Sequence, residues 1–276
     1  MVKSITDSAI LNNGIKMPWL GFGTFKIDDG SEVEEAVRAA LKTGYRSIDT
    51  AAAYNNERGV GTAIRDSGIP REDIFLTTKV WNSDQRNERS LAAFEESLDR
   101  LGVEYVDLYL VHWPVKGFYQ DTWGAMEEIY HSGRAKAIGV SNFMIPHLET
   151  ILGDYQIVPA VNQVEFHPYL YQKDLLDYCR EHEIQLEAWS PLMKGRIIDD
   201  PALLSIAEKH HKTPAQVSLR WVLQHQVIAI PKSVHPDRIA ENAGVFDFSL
   251  SEEEMATLDD LGADGRVGPD PFNFDF

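Results

Sequence analysis

Five segments of this chain end an apolar, strand-like run on side chains that could take part in chemistry. They are RSIDTAAAY with Asp49 and Tyr54, IFLTTK with Lys79, VDLYLVH with His112, KAIGVSN with Ser141 and Asn142, and AVNQVEF with Gln163. Polar groups that follow successive buried strands are typical of a (β/α)8 barrel, because its active site is built from the strand C-termini and the loops after them. The pattern therefore predicts an enzyme of the α/β class.

Four of these residues, Asp49, Tyr54, Lys79 and His112, have side chains suited to protonating a carbonyl oxygen. Tyrosine, with an ordinary pKa near 10, is a weak acid at neutral pH, but a neighbouring lysine ammonium lowers that pKa. An aspartate would hold the lysine charged, and a histidine could orient the oxygen while hydride reaches the carbon. One histidine and one carboxylate do not make a metal-ligand set, so no metal is predicted.

Each of the four also has an ordinary structural explanation when it is considered alone. Tyr54 could be a surface tyrosine, Asp49 a helix cap, His112 a core histidine, and Lys79 a side chain that extends to solvent. Their joint placement at strand ends favours the catalytic interpretation.

The pattern of apolar residues predicts the strands and helices that would position these side chains. It predicts eight barrel strands, at 19–22, 46–49, 73–78, 105–111, 136–140, 159–165, 184–189 and 226–230. The first helix is expected within 31–44, with Ser31 as N-cap and Gly44 just beyond its end. The other predicted helices are 57–67, 87–100, 120–132, 145–152, 172–182, 201–209, 213–224, 235–243 and 250–261.

The two ends of the chain add features to this barrel. Residues 8–11 and 15–17 predict an N-terminal β-hairpin whose Asn12-Asn13-Gly14 turn is compatible with type I′. A length of 276 residues without a linker predicts a single (β/α)8 TIM-barrel domain over 1–276, with extra helices. The tail 262–276 is predicted to be irregular. It could be frayed, but Phe272, Phe274 and Phe276 make a docked tail an equal alternative.

Composition excludes several other functions. The net charge of -17 argues against nucleic acid and anionic membranes as partners, since both require a basic surface. No apolar run approaches the ~20 residues that cross a bilayer, and the N-terminus lacks a signal-peptide core, so a cytoplasmic location is predicted. The single cysteine, Cys179, has helical surroundings and is expected to be inert.

A phosphate-binding site is predicted in spite of the acidic composition. The glycine clusters at 21–26 and 59–64 lack the third glycine of a GxGxxG fingerprint, which argues against a Rossmann unit. The loops after the last two barrel strands, 189–196 and 230–242, carry Lys194, Arg196, Lys232 and Arg238, and the second loop leads into a helix. This is where barrels commonly bind phosphate, although a solvated basic face is the alternative.

Eight ordered motifs resemble those of the aldo-keto reductases. They are LGFGTFK (20–26), GYRSIDTAAAYNNERGVG (44–61), TTKVWN (77–82), DLYLVHWP (107–114), IGVSNF (138–143), VNQVEFHP (161–168), WSPLMKG (189–195) and IPKSVHPDRIAENAGVFDF (230–248). The chain is most similar to the bacterial group that includes the 2,5-diketo-D-gluconate reductases. The resemblance implies a monomer that reduces small carbonyl compounds with NADPH, NADH being weaker. Keto sugars, keto esters or aldehydes are the expected substrates.

The same resemblance implies a role for each matching residue. Tyr54 would be the general acid, Lys79 and Asp49 its tuning pair, and His112 the residue that orients the carbonyl. The nicotinamide would contact Ser141, Asn142 and Gln163 through its carboxamide and stack on Trp189. The pyrophosphate would lie along Ser190, Pro191, Leu192, Lys194 and Gly195, the 2′-phosphate on Lys232, Ser233 and Arg238, and the adenine near Asn242. The implied cofactor set also contains Thr24, Asp49, Ile230, Pro231 and Val234, and the substrate would lie against Phe25, Trp81 and Trp113.

Two features of the sequence depart from the family pattern, and two other functions are still open. Asn55-Asn56 replaces a small residue followed by Asn, which predicts a different local loop, and a shorter segment after His112 predicts an open substrate side. Lys79 could instead be the Schiff-base nucleophile of an aldolase. Alternatively, the chain could be a non-catalytic cofactor sensor, as some members of this superfamily are. His167 is expected to be structural.

Overall fold

The computed structural model describes residues 2–86, 88–262 and 265–276. Its strands are β1 (Ser8–Ile10), β2 (Lys16–Pro18), β3 (Phe22–Gly23), β4 (Ser47–Asp49), β5 (Phe75–Val80), β6 (Val106–Val111), β7 (Ala135–Ser141), β8 (Val161–Glu165), β9 (Gln185–Trp189) and β10 (Ile228–Ala229). Its α-helices are α1 (Ser31–Thr43), α2 (Glu57–Asp66), α3 (Asn82–Arg86), α4 (Ser90–Leu101), α5 (Tyr119–His131), α6 (Ile145–Asp154), α7 (Lys173–Glu181), α8 (Pro201–His210), α9 (Pro214–Gln224), α10 (Pro236–Ala243) and α11 (Glu252–Asp259).

Strands β3 to β10 pair in chain order, each parallel to the next. The sheet closes on itself because Leu20, just before β3, forms a parallel bridge with Ala229 in β10. Two backbone hydrogen bonds flank that bridge, from Gly21 N to Ala229 O at 2.9 Å and from Gly23 N to Pro231 O at 3.1 Å. The predicted (β/α)8 barrel is therefore confirmed, and the carboxyl ends of its strands meet at one mouth.

The antiparallel hairpin β1–β2 is confirmed, but its turn differs from the prediction. Gly14 N donates to Leu11 O at 2.8 Å, and Gly14 has φ 84°, whereas neither asparagine has a positive φ. A type I′ turn requires positive φ at both central residues, so the type I′ assignment was wrong, and the turn is of type I followed by glycine. Met17 is fully buried in an apolar cluster with Leu108 of β6, which places the hairpin against the barrel interior.

Two helix boundaries also correct the predictions. Ser31 is the first residue of α1, and the N-cap is Gly30, whose φ of 85° favours glycine and which leaves no side-chain cap. Gly44 ends α1 in the left-handed conformation, as expected. The helix predicted over 87–100 instead begins at Ser90, after the separate short helix α3, and its predicted first residue, Asn87, lies outside the described residues.

The single cysteine is buried, as expected for an inert thiol. Cys179 lies fully buried in α7, where burial raises the pKa of its thiol to about 12.

None of the described helices could span a membrane. Within the described ranges, no helix is both long and apolar enough to cross a bilayer.

The described part of the tail, 265–276, docks on the barrel mouth. Phe276 stacks on Trp81 with ring centroids 5.9 Å apart, and Phe274 lies 5.0 Å from Trp113. The Asn82 amide donates to the main-chain oxygen of Phe276 at 3.0 Å. The docked alternative is therefore correct for these residues, while positions 263 and 264 of the predicted tail lie outside the described residues.

Candidate active site

A buried ion pair lies at the centre of the barrel mouth. Lys79 on β5 donates from Nζ to both carboxylate oxygens of Asp49 on β4, at 2.7 and 2.8 Å, and to Thr50 O at 2.9 Å. Its fourth neighbour is the Tyr54 hydroxyl at 3.4 Å. The structure thus brings together three of the four residues expected to protonate a carbonyl, with the ammonium next to the phenol hydroxyl.

The loop that carries Tyr54 depends on the asparagine pair that departs from the family pattern. Asn55 adopts φ 55°, a left-handed conformation that asparagine tolerates better than most residues. Asn56 is fully buried and donates to Thr24 O and Ile27 O, both at 2.9 Å, while the Thr50 hydroxyl donates to its Oδ1 at 2.8 Å. These bonds fix the tyrosine loop to the loop after β3, which contains Phe25.

The electrostatics of this cluster differ in part from the expectation. Burial raises the pKa of Tyr54 to about 12, since it outweighs the lowering effect of Lys79, and Asp49 adds to the rise. Lys79 therefore lowers the pKa of Tyr54 as predicted, but burial of the phenol outweighs that effect. Burial alone would lower the pKa of Lys79, but Asp49 and Tyr54 raise it above its ordinary value. The lysine is thus held as a cation, in position to stabilise a phenolate.

His112 completes the group as a neutral imidazole. It directly follows β6, and burial together with Lys79 lowers its pKa well below the ordinary value. Its ring lies 5.6 Å from the Tyr54 ring, and its Nδ1 atom is buried without a hydrogen-bond partner in the described structure. A neutral histidine beside the phenol can donate a hydrogen bond to an oxygen without competing as an acid.

Aromatic rings surround this cluster on the solvent side. Phe25 lies 5.0 Å from Tyr54, and Trp81 lies 5.1 Å from His112. Trp113 is buried against Phe276 of the tail, at 5.2 Å between ring centroids. The residues predicted as substrate walls therefore lie around the tetrad of Asp49, Tyr54, Lys79 and His112. The short loop after His112 was expected to leave the substrate side open, but the tail covers part of the mouth.

The polar residues expected near the nicotinamide are linked to one another. The Ser141 hydroxyl donates to Gln163 O at 2.8 Å, and the Asn142 amide donates to His112 O at 3.0 Å. Trp189 Nε1 donates to Asn142 Oδ1 at 2.9 Å, which orients the indole ring at the end of β9. The ends of β7, β8 and β9 thus hold these side chains next to the tetrad.

A buried carboxyl group that sequence reasoning missed is hydrogen-bonded to Gln163. Gln163 Nε2 donates to Asp49 Oδ2 at 2.8 Å and to Glu187 Oε2 at 2.7 Å. Glu187 is fully buried in the β9 segment QLEAW, two residues before Trp189. A charged residue in an apolar strand was the signal that identified Asp49 and Lys79, and it would have identified Glu187 as well.

The two loops expected to bind phosphate lie at the same mouth. In the loop after β9, Ser190 and Lys194 have φ 49° and 55°, and Lys194 donates to Val267 O of the tail at 2.6 Å. In the loop after β10, Lys232 and Arg238 are exposed and form no ion pair with any described residue. The basic groups are thus available, apart from Lys194, which contacts the tail.

The remaining predicted cofactor residues lie in the loop after β3, in these two loops and in α10. The Thr24 hydroxyl donates to Asp49 O at 3.0 Å, and the Pro191 carbonyl accepts from the Ser218 hydroxyl at 2.7 Å. Ser233 Oγ accepts from His235 N at 3.0 Å, next to the start of α10. The others line the same two loops, with Leu192, Gly195 and Val234 partly buried and Ile230, Pro231 and Asn242 buried.

A second group of buried residues, which the sequence did not reveal, holds the tail. Glu165 accepts hydrogen bonds from Val267 N at 2.6 Å and Gly268 N at 3.0 Å, and it contacts His167 Nε2 at 3.0 Å. A side chain on Gly268 would come within 2.2 Å of the Trp189 ring, so only glycine permits this approach. His167 therefore has the structural role expected of it, as the partner of the carboxylate that anchors the tail.

These features place a buried cluster of titratable side chains at the mouth of a (β/α)8 barrel. The model of the Aldo/keto reductase family matches residues 19–263. The glyoxal reductase of Bacillus subtilis (strain 168) is 58% identical over 271 residues, which cover 98% of each chain. The methylglyoxal reductase DkgA of Salmonella typhimurium (strain LT2) is 44% identical over 268 residues, which cover 96% of each chain. A Gox0644 variant solved with NADPH has a TM-score of 0.92 and 44% identity, over 100% of both chains.

The chain belongs to the aldo/keto reductase family and is an oxidoreductase of that family. The fold, the order of the strands and the family therefore agree with the resemblance seen in the sequence. These relatives do not single out the 2,5-diketo-D-gluconate reductase group, and that narrower assignment stays a prediction.

Proposed function

We propose that this protein reduces small aldehydes and ketones to alcohols, with NADPH as the hydride donor and Tyr54 as the proton donor. The observation that carries the proposal is the convergence of Asp49, Tyr54, Lys79 and His112 at the barrel mouth. NADPH, when bound, supplies the hydride that reduces the carbonyl carbon and leaves as NADP. Tyr54 transfers its proton to the carbonyl oxygen, His112 orients that oxygen, and Lys79 stabilises the resulting phenolate.

The described residues fit a bound dinucleotide phosphate. Lys232 and Arg238 are exposed cations without ion-pair partners among the described residues, in a chain whose net charge is -17. They lie beside the N-terminus of α10, where backbone N–H groups favour anions. Trp189, partly buried at the end of β9, would stack on the nicotinamide. The related Gox0644 variant was solved with NADPH, and NADH, which lacks the 2′-phosphate, should bind more weakly.

The aromatic rim of the mouth and the related proteins support a substrate class. Phe25, Trp81 and Trp113 form an apolar rim, and the docked tail narrows it. Related proteins are a glyoxal reductase and a methylglyoxal reductase. We therefore favour small aldehydes, including α-oxoaldehydes, over larger keto sugars and keto esters. The proposed enzyme is a monomer that acts on small molecules in the cytoplasm.

The charge state of Lys79 disfavours the rival aldolase. A Schiff-base lysine must reach its neutral form, but the pKa of Lys79 is raised and its ammonium is bonded to both oxygens of Asp49. A cofactor sensor needs no acid, and the intact tetrad favours catalysis over that alternative.

A panel of carbonyl compounds tests the proposal. Purified protein is mixed with NADPH or NADH and with aldehydes, α-keto esters or keto sugars, and the loss of reduced-cofactor absorbance is followed. Turnover with NADPH and at least one aldehyde is expected. Borohydride trapping of substrate on Lys79 without NADPH oxidation would support the aldolase instead, and tight NADPH binding without turnover would support the sensor.

A further inference from the structure

Glu187 is a buried carboxyl whose function is not explained by proton donation or by phosphate binding. It pairs in register with Gln163 across β8 and β9, and it is fully buried. Gln163 Nε2 has two hydrogens, and both are used, one for Asp49 Oδ2 and one for Glu187 Oε2. The opposite amide orientation would place Gln163 Oε1 against the Asp49 carboxylate, which has no proton to donate, and would give up both amide hydrogen bonds, so these contacts favour the observed orientation. Gln163 Oε1 is then left free as an acceptor, without a partner among the described residues.

The charge balance around Glu187 favours its protonated form. The charged or titratable groups that face it are Asp49 on β4, Lys79 on β5 and Tyr54 on the loop after β4. The Lys79 ammonium is already bonded to both oxygens of Asp49, and no cation in the described part of the chain forms an ion pair with Glu187. Burial and the repulsion from Asp49 raise the pKa of the Glu187 carboxyl to about 8, in spite of Gln163 and Lys79. Its Oε1 atom has no hydrogen-bond partner in the described structure.

We propose that Glu187 is a positioning residue of the reduction site, acting through Gln163 and through its neutral, protonated carboxyl. Its hydrogen bond fixes the Gln163 amide so that Oε1 faces the mouth, ready to accept from the carboxamide of a bound nicotinamide. Its protonated state limits the negative charge next to Tyr54. The inference rests on the proposed carbonyl reduction and adds a residue to it.

The protonated state has a consequence for the acid. When Glu187 ionises, its negative charge contributes to the raised pKa of Tyr54, because a nearby anion disfavours the phenolate. Reduction should therefore weaken as pH rises through the titration of Glu187.

Infrared spectroscopy on the protein without cofactor tests the protonation directly. The parent should show the carbonyl stretch of a buried carboxylic acid at neutral pH, and this band should fade at alkaline pH. Glu187→Gln should lack the band. The matched control is Glu57→Gln, which alters a buried carboxylate paired with Arg100 at 2.6 Å and should leave the band unchanged. A parent protein without such a band, or a band that survives Glu187→Gln, would overturn the proposal, and the parent measurement requires no variant to fold.

Two variants separate positioning from packing. Glu187→Met removes the acceptor at similar volume, frees the Gln163 amide, and should weaken NADPH binding about threefold to tenfold, as expected for one neutral hydrogen bond. Glu187→Gln offers an amide oxygen in its place and should restore most of that affinity. Equal losses in both variants would refute the positioning role.

The pH profile then connects Glu187 with turnover. In Glu187→Gln, the alkaline fall of kcat should move to higher pH than in the parent, while Glu57→Gln should keep the parental profile. An unchanged profile in Glu187→Gln would contradict the effect on Tyr54. If the parent binds NADPH but reduces no carbonyl, the proposed function fails, whereas the infrared and binding measurements still decide the role of Glu187.

Discussion

Replacing Tyr54 by phenylalanine removes a single oxygen atom from the centre of the candidate site. Among the described residues, that oxygen has one hydrogen bond, from Lys79 Nζ at 3.4 Å, which is longer than a normal N–H···O bond. Its loss should therefore change the free energy of unfolding by about 1 kcal/mol or less. The ring keeps its contacts with Phe25 and His112, at 5.0 and 5.6 Å, so the site should retain its shape.

The effect on turnover should be far larger than the effect on stability. Proton transfer by one positioned acid is worth roughly 10²- to 10⁴-fold, so kcat of Tyr54→Phe should fall by that factor. NADPH affinity should stay within about twofold, because the hydroxyl acts on the oxyanion and is not required to bind the dinucleotide.

Steady-state NADPH oxidation and a fluorescence titration with NADPH measure these two quantities. The matched control is Tyr45→Phe, which removes a buried hydroxyl bonded to Ile239 O at 3.2 Å, on the outer side of the barrel. This control should lose stability but keep kcat. Activity of Tyr54→Phe within a few-fold of the parent would refute the tyrosine-acid mechanism, as would an equal loss in both variants.

Three further predictions concern the cofactor and the buried carboxyl. Arg238→Ala should weaken NADPH about ten- to a hundred-fold at fixed ionic strength with little change for NADH, because a charge-assisted bond is worth roughly 1.5–3 kcal/mol; equal losses would assign Arg238 to the fold or to the adenine. NADPH should quench tryptophan fluorescence, and Trp189→Ala should remove much of the quench; an undiminished quench would point to Trp81 or Trp113. Because the folded pKa of Glu187 is raised to about 8, its contribution to stability is lost as pH rises towards that value. The melting temperature of Glu187→Gln should therefore exceed that of the parent by an amount that grows between about pH 5 and pH 8, and a difference independent of pH would show that Glu187 is already ionised.

Local sequence signals predicted the barrel because each strand and helix carries its own apolar pattern. Strands β4 and β5, which carry Asp49 and Lys79, and β6, which His112 follows, lie within about two residues of the predicted strands, since a buried parallel strand has a continuous apolar run. Errors arose where backbone geometry decides the outcome. The N-cap of α1 is Gly30 and not Ser31. In the Asn12-Asn13-Gly14 turn, only Gly14 has a positive φ.

The tail shows a different limit of local signals. Phe274 and Phe276 left a docked and a frayed tail equally plausible from the sequence. The docking depends on Glu165, which lies 102 and 103 residues away from the backbone groups it binds. No local pattern encodes such a contact, because it exists only after β8 and the tail have met.

Patterns within single segments were enough to predict the strands, the helices, the family and the residue types at the barrel mouth. The electrostatics of the site became clear only from the folded chain. Burial raises the pKa of Tyr54 to about 12 although Lys79 is close to it, and it raises the pKa of Glu187 to about 8. The physical reason is that desolvation and charge–charge interactions depend on distances between strands, and the closure of the barrel sets those distances.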